Sequence, residues 1–150
     1  MTDVPSDEPL TTQLGHLLQE AAGALSKARD RELSTRDMTE RHWLVLRGLA
    51  EAGPVRLPQL MALLRHSSFM EQAPQILDHL SEHGWMEERL EGPGGLSVFG
   101  LSPAGLSIYT ETAAALQAIG QRAVGGLSSA AQGTAVQFLE GVIARIQAHG

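Results

Sequence analysis

Residues 84–105 read Gly-Trp-Met-Glu-Glu-Arg-Leu-Glu-Gly-Pro-Gly-Gly-Leu-Ser-Val-Phe-Gly-Leu-Ser-Pro-Ala-Gly. Trp85 to Leu90 and Leu96 to Leu101 can each extend as a strand, and Gly92-Pro93-Gly94-Gly95 between them has the backbone freedom a hairpin tip needs. The tip is not a phosphate loop, because it precedes a strand rather than a helix and no Lys-Ser/Thr follows it. Ser102-Pro103 then opens a helix, with proline at a first-turn position where its missing N–H costs nothing.

Upstream of the hairpin the apolar residues recur at spacings of three and four, the mark of amphipathic helices. A first helix carries Leu14, Leu17, Leu18, Ala21, Ala22 and Leu25 and is expected to end near Lys27 to Arg31. A second starts after Thr39 as N-cap, carries Leu46, Leu49 and Ala50, and stops at Gly53-Pro54. Val55 to Leu57 reads as a short extended link, and Pro58 opens a third helix with Leu60, Leu63 and Leu64 that ends near His66. Ser68 and Glu71 form a capping-box pattern for a fourth, whose stripe is Ala73, Ile76, Leu77 and Leu80 and whose C-cap is Gly84. Inside a regular helix Pro74 costs about 3 kcal/mol, so this helix is kinked or starts late.

Downstream, Leu106, Tyr109, Ala113 and Leu116 mark a long helix interrupted at Gly125-Gly126. In the last helix Val136, Leu139, Ile143 and Ile146 line up like the seam of a coiled coil, which needs a partner. The expected fold class is mainly α with a small β-hairpin wing: a winged helix-turn-helix over 39–101, flanked by helices at 10–31 and 103–149, in one domain spanning 1–150.

Composition agrees with a helical core. The 150 residues are 43% hydrophobic but only 4% aromatic, leaving Leu, Ala, Val and Ile to fill the interior. The absence of cysteine excludes a disulfide framework, a thiolate metal cage, a thiol nucleophile and a cysteine-oxidation sensor. Met1 to Pro9 reads as neither signal nor transit peptide, and no apolar run reaches membrane-spanning length, so a cytoplasmic location is expected. The net charge of −6 argues against general attraction to a polyanion, so nucleic-acid binding would need a local basic patch.

Leu46 to Gly105 resembles the winged helix-turn-helix of the MarR family of bacterial regulators. The landmarks are Thr39-Glu40-Arg41-His42-Trp43 leading to Leu46, the turn Leu49-Ala50-Glu51-Ala52-Gly53-Pro54, Leu57-Pro58-Gln59-Leu60, Gly84-Trp85-Met86-Glu87-Glu88-Arg89 and Leu101-Ser102-Pro103-Ala104-Gly105. The resemblance implies a homodimer through the terminal helices, DNA as a partner, and a small ligand in a crevice between the helical base and the winged region. It puts the fourth helix in the major groove and the wing near a minor groove.

For that role the candidate DNA-contacting residues are Ser67, Ser68, Gln72, Gln75 and His79, with Arg56, Arg65 and Arg89 meeting phosphates. The surface is nevertheless acidic: from Ser67 to Phe99 six carboxylates (Glu71, Asp78, Glu82, Glu87, Glu88, Glu91) face the single basic Arg89. The resemblance places a Ser-Arg or Thr-Arg pair where this chain has Pro74-Gln75, and an Asp-x-Arg wing element where it has Glu91 to Leu96. Both basic devices are missing. A protein that keeps the fold, no longer touches DNA, and binds or transforms a small metabolite therefore stands beside the regulator.

Candidate ligand-crevice residues are His16, His42, Trp43, Arg47, Phe69, Met70 and Tyr109, with plain core packing as the alternative for the three aromatics. His16, within Leu14-Gly15-His16-Leu17-Leu18, is the candidate general acid or base if the crevice is catalytic. His79 and His83, with Asp78 and Glu82, have the i, i+4 spacing that can place two imidazoles on one metal, but without a third ligand they read as a solvated helix face. No metal or cofactor is assigned, and no nucleophile elbow, zinc-protease helix, dinucleotide fingerprint or kinase element is present.

Overall fold

The structure, a computed structural model, describes residues 9–66 and 72–149, the side chain of His66 aside. The order of elements is α1 (Leu10–Ser34), α2 (Glu40–Ala52), β1 (Val55–Arg56), α3 (Leu57–His66), α4 (Ala73–Glu82), β2 (Met86–Glu91), β3 (Leu96–Leu101), α5 (Pro103–Val124) and α6 (Ser129–His149). They form two compact units that divide within α5, after Leu116. No described helix is long and apolar enough to cross a membrane.

In the first unit the wing is an antiparallel hairpin running from Met86 opposite Leu101 to Glu91 opposite Leu96. The expected link at Val55 is more than a link: Val55 and Arg56 pair with Phe99 and Val98, giving a three-stranded sheet of order β1-β3-β2. Val98 and Gly100 of β3 are buried while Ser97, Phe99 and Leu101 on the other face are half-buried, the alternation of a sheet with one covered face. The core gathers Leu33, Leu46, Leu49, Leu60, Leu64 and Leu80, all essentially solvent-free.

Pro74 does not kink α4. The helix begins at Ala73, so Pro74 lies in its first turn, where its N–H would have no intrahelical partner. The expected capping box at Ser68 and Glu71 lies outside the described residues. At the far end, Gly84 (φ +71) closes a Schellman turn: the Trp85 N–H donates to the Leu80 carbonyl at 2.9 Å and the Gly84 N–H to that of Ser81 at 3.0 Å.

The first helix runs past its expected end and finishes in the same way. The Met38 N–H donates to Leu33 at 3.0 Å and the Asp37 N–H to Ser34 at 3.1 Å, with Asp37 in the left-handed conformation at φ +57. A bidentate Arg29–Glu40 ion pair, 2.7 and 3.3 Å, then fastens α1 to the start of α2. Arg36 joins α1 to α5 by pairing with Glu32 at 2.8 Å and Glu111 at 3.5 Å.

The second unit, Gln117–Gly150 by its bounds, holds the end of α5 and all of α6. Ser128 caps α6 by accepting the Ala131 N–H at 3.1 Å. No residue of α6 is buried, and Val136, Leu139, Ile143 and Ile146 all stay exposed.

Candidate functional site

A cleft of about 760 Å³ opens in the first unit between the end of α1, the start of α2 and the first turn of α4. Met38 and Ile76 give it apolar wall; Thr39, Arg41, His42 and Gln75 give it polar groups. The Arg41 guanidinium donates to the Gln72 side-chain carbonyl, bridging α2 to α4 across the cleft.

Beside the cleft the two Schellman turns meet. His79 Nε2 lies 2.6 Å from the Asp37 backbone carbonyl, and His83 Nε2 lies 2.7 Å from Asp37 Oδ2. His83 Nδ1 faces the His79 carbonyl at 2.8 Å. The rings stack in a row: His42 on His79 at 3.8 Å, His79 on His83 at 4.3 Å and His83 on Trp85 at 4.4 Å. His42 is fixed at the end of this row because its Nδ1 accepts the Thr39 backbone N–H at 3.0 Å, completing the α2 cap.

The two ends of the row titrate in opposite directions. Burial, helped by the His79 and His83 charges and opposed by Asp37, holds His42 below the ordinary histidine value. The His79 carbonyl, with the Asp37 carboxylate, holds His83 above it against a smaller effect of burial. In chelator-containing buffer, where only protons occupy the cluster, His83 thus adds stability that is present below about pH 6.5 and lost as pH rises through its higher folded value. His42 costs stability as pH falls from about 6.5 through its lower folded value. His83→Gln is expected to lower Tm more at pH 6 than at pH 9, and His42→Gln to flatten the acid side of the Tm profile. Curves for both variants that run parallel to the parent's would contradict this.

The sequence-predicted ligand residues do not all reach the cleft. His42 lines it. Trp43, only 3% exposed, stacks on the half-buried Tyr109 with centroids 5.5 Å apart, and neither lines this cleft. Arg47 is on the surface, 3.7 Å from Glu51. His16 is exposed on α1, fourteen residues from the cleft residue Asp30, about 21 Å along a helix rising about 1.5 Å per residue. Phe69 and Met70 lie outside the described residues. Met38, Thr39 and Ile76 were missed because the turn that assembles them carries no glycine or proline signal.

Of the residues expected at DNA, Arg56, Arg65, Gln72 and Gln75 are exposed, and Ser67 and Ser68 lie outside the described residues. His79 is half-buried, with its ring toward Asp37 and between those of His42 and His83. Arg89 is shared between Glu87 and Glu91, each 3.8 Å away on its own strand.

No protein-family model matches the chain, and no curated protein sequence matches it. Solved structures do. Apo MarR from E. coli superimposes with a TM-score of 0.67 and 21% identity, covering 86% of this chain and 95% of that one. A probable transcriptional regulator from Pseudomonas aeruginosa gives 0.64 and 25% over 92% and 99%. The Mycobacterium tuberculosis MarR family protein Rv2887 in complex with DNA gives 0.67 and 23% over 91% and 98%. The same protein with salicylic acid gives 0.66 and 24% over 93% and 99%. Helix order, three-stranded wing and these neighbours agree over about nine-tenths of the chain, which is a winged helix-turn-helix protein with the fold of the MarR family.

Proposed function

We propose that the chain is a cytoplasmic, homodimeric regulator that binds DNA through α4 and the wing and answers to a small molecule held in the cleft. The observation that carries this reading is its likeness to Rv2887, a protein solved both on DNA and with salicylic acid, over nearly that protein's whole length. The cleft suits a small, partly apolar ligand, with Met38 and Ile76 as wall and Arg41, His42 and Gln75 as polar groups. Gln72 and Gln75, exposed in and before the first turn of α4, would meet base edges, with Ser67 and Ser68 beside them and Arg56 and Arg65 on phosphates. His16 belongs to the exposed α1 face that a second protomer would cover.

Fluorescence anisotropy with duplexes from upstream of the protein's own gene tests this. The expected result is selective binding at micromolar protein in low salt, with two phosphate-contacting arginines per protomer giving a log–log salt slope of about −4. No preference for the upstream duplex over a scrambled one would overturn the DNA reading.

A second reading is favoured by one specific observation: the wing's only cation, Arg89, is already shared by two carboxylates. There the fold is kept without DNA, and the cleft binds or transforms a small metabolite. A ligand-dependent rise in Tm without any DNA affinity marks that outcome.

A further inference from the structure

We propose that Asp37, His79 and His83 form a binding site for a divalent transition-metal ion of the zinc class. Their donor atoms, two imidazole nitrogens and one carboxylate oxygen, all lie within 4.8 Å of one another. None of the three lines the cleft.

Helical spacing alone accounts for two of the three donors: His79 and His83, four residues apart, share one face at the end of α4, His83 being its C-cap. The remaining donor arrives from the α1–α2 junction, more than forty residues earlier, through the turn at Asp37. Among described non-glycine residues Asp37 is the only one with positive φ. Glycine would adopt that conformation without strain; aspartate adopts it at a cost and sets a carboxylate against His83.

The surroundings also fit a metal. With Nδ1–H donated to the His79 carbonyl, His83 presents Nε2 toward Asp37, and a backbone carbonyl on the far nitrogen is the usual orienting partner of a metal-bound histidine. His42 stacked on His79 and Trp85 against His83 hold the two rings in place. A tetrahedral ion with bonds of about 2.0–2.1 Å keeps its ligand atoms about 3.3 Å apart, so binding opens the 2.7 Å His83–Asp37 contact by about 0.6 Å and, where His79 ligates through Nε2, replaces the proton that this nitrogen donates to the Asp37 carbonyl at 2.6 Å. Two imidazoles with one carboxylate and no thiolate favour Zn(II), Co(II) or Ni(II) over Ca(II) and Mg(II). The exposed side leaves the remaining position to water.

The test uses the untagged full-length chain, stripped of metal, titrated with Zn(II) against a chromophoric chelator and with Co(II) by visible absorption. Expected are one ion per chain, Co(II) bands of tetrahedral character, and zinc binding weakened at least about tenfold in His79→Ala, His83→Ala and Asp37→Gly. Asp37→Gly is the decisive variant, because glycine keeps the left-handed turn and removes only the carboxylate. His149→Ala, at the end of α6, is expected to bind as the parent does. Substoichiometric binding by the parent chain, or undiminished binding by Asp37→Gly and His83→Ala, would overturn the site.

Discussion

Gly105→Ala is expected to lower Tm by about 10 °C, a change readable by thermal denaturation followed in the far-UV. A Cβ built on Gly105 would stand 1.9 Å from the Trp85 carbonyl oxygen and 2.8 Å from its carbon. Both are backbone atoms, and neither can rotate aside. The same carbonyl accepts the Ser102 N–H at 3.0 Å. Ser102 Oγ in turn donates to the Gly84 carbonyl and accepts the Gly105 N–H at 3.0 Å, capping α5. The Leu-Ser-Pro-Ala-Gly segment is therefore a clasp between α5 and the turn that ends α4. Forcing it open combines an overpacking cost of about 1–3 kcal/mol with loss of a helix cap worth about 1 kcal/mol. At about 2–4 °C per kcal/mol for a chain of this size, the sum is near the expected fall. Ser102→Ala, which weakens the clasp without a clash, should cost only the cap; a Gly105→Ala protein as stable as the parent would show that the clasp yields.

That clasp also shows which parts of the fold were legible in the sequence. The residues on its Leu101–Gly105 side are neighbours along the chain, and so are the signals that set the hairpin tip, the stop at Gly53-Pro54 and the late start of α4 at Pro74. Periodicity and turn chemistry are local, and they were sufficient there. The end of α1 was misplaced because its stop is Asp37 in a left-handed turn, a place where glycine would have been visible. The error propagates into the site. Without that turn, Met38 and Thr39 have no reason to line a cleft, and Asp37 has none to meet His83.

Helical spacing put His79 on a face that could reach DNA, and in the structure it lies half-buried against the Asp37 carbonyl. Trp43 and Tyr109 carry the right chemistry for a ligand wall, and in this fold they stack on each other away from the cleft. In each case the deciding contact spans more than forty residues. Residue type states what a side chain can do; only the tertiary contact selects which of those things it does.

The double substitution Leu139→Asp/Ile143→Asp is expected to convert a dimer of twice 16.0 kDa into monomer, as read by sedimentation velocity. The sequence of α6 spaces Val136, Leu139, Ile143 and Ile146 as a seam, and the helix buries none of them; Ile143 is 54% and Ile146 67% exposed. Exposed Leu10, Leu14 and Leu17 add an apolar face on α1. Such stripes mark surfaces that association covers, and a two-fold interface covers the same stripe on both copies. Fully burying a leucine or isoleucine side chain is worth about 1.5–3 kcal/mol, while a carboxylate buried without a partner costs several. Two aspartates per protomer, doubled by symmetry, should thus weaken association by at least about a thousandfold. A parent chain that sediments as monomer at tens of micromolar, or a double variant that stays dimeric, would remove α6 from the interface. The consequence for DNA is separable. A helix-turn-helix dimer reads two half-sites about 34–36 Å apart, and a monomer can hold only one of them. The double variant should therefore lose selectivity for its operator while the zinc stoichiometry at Asp37, His79 and His83, all contributed by a single chain, stays at one.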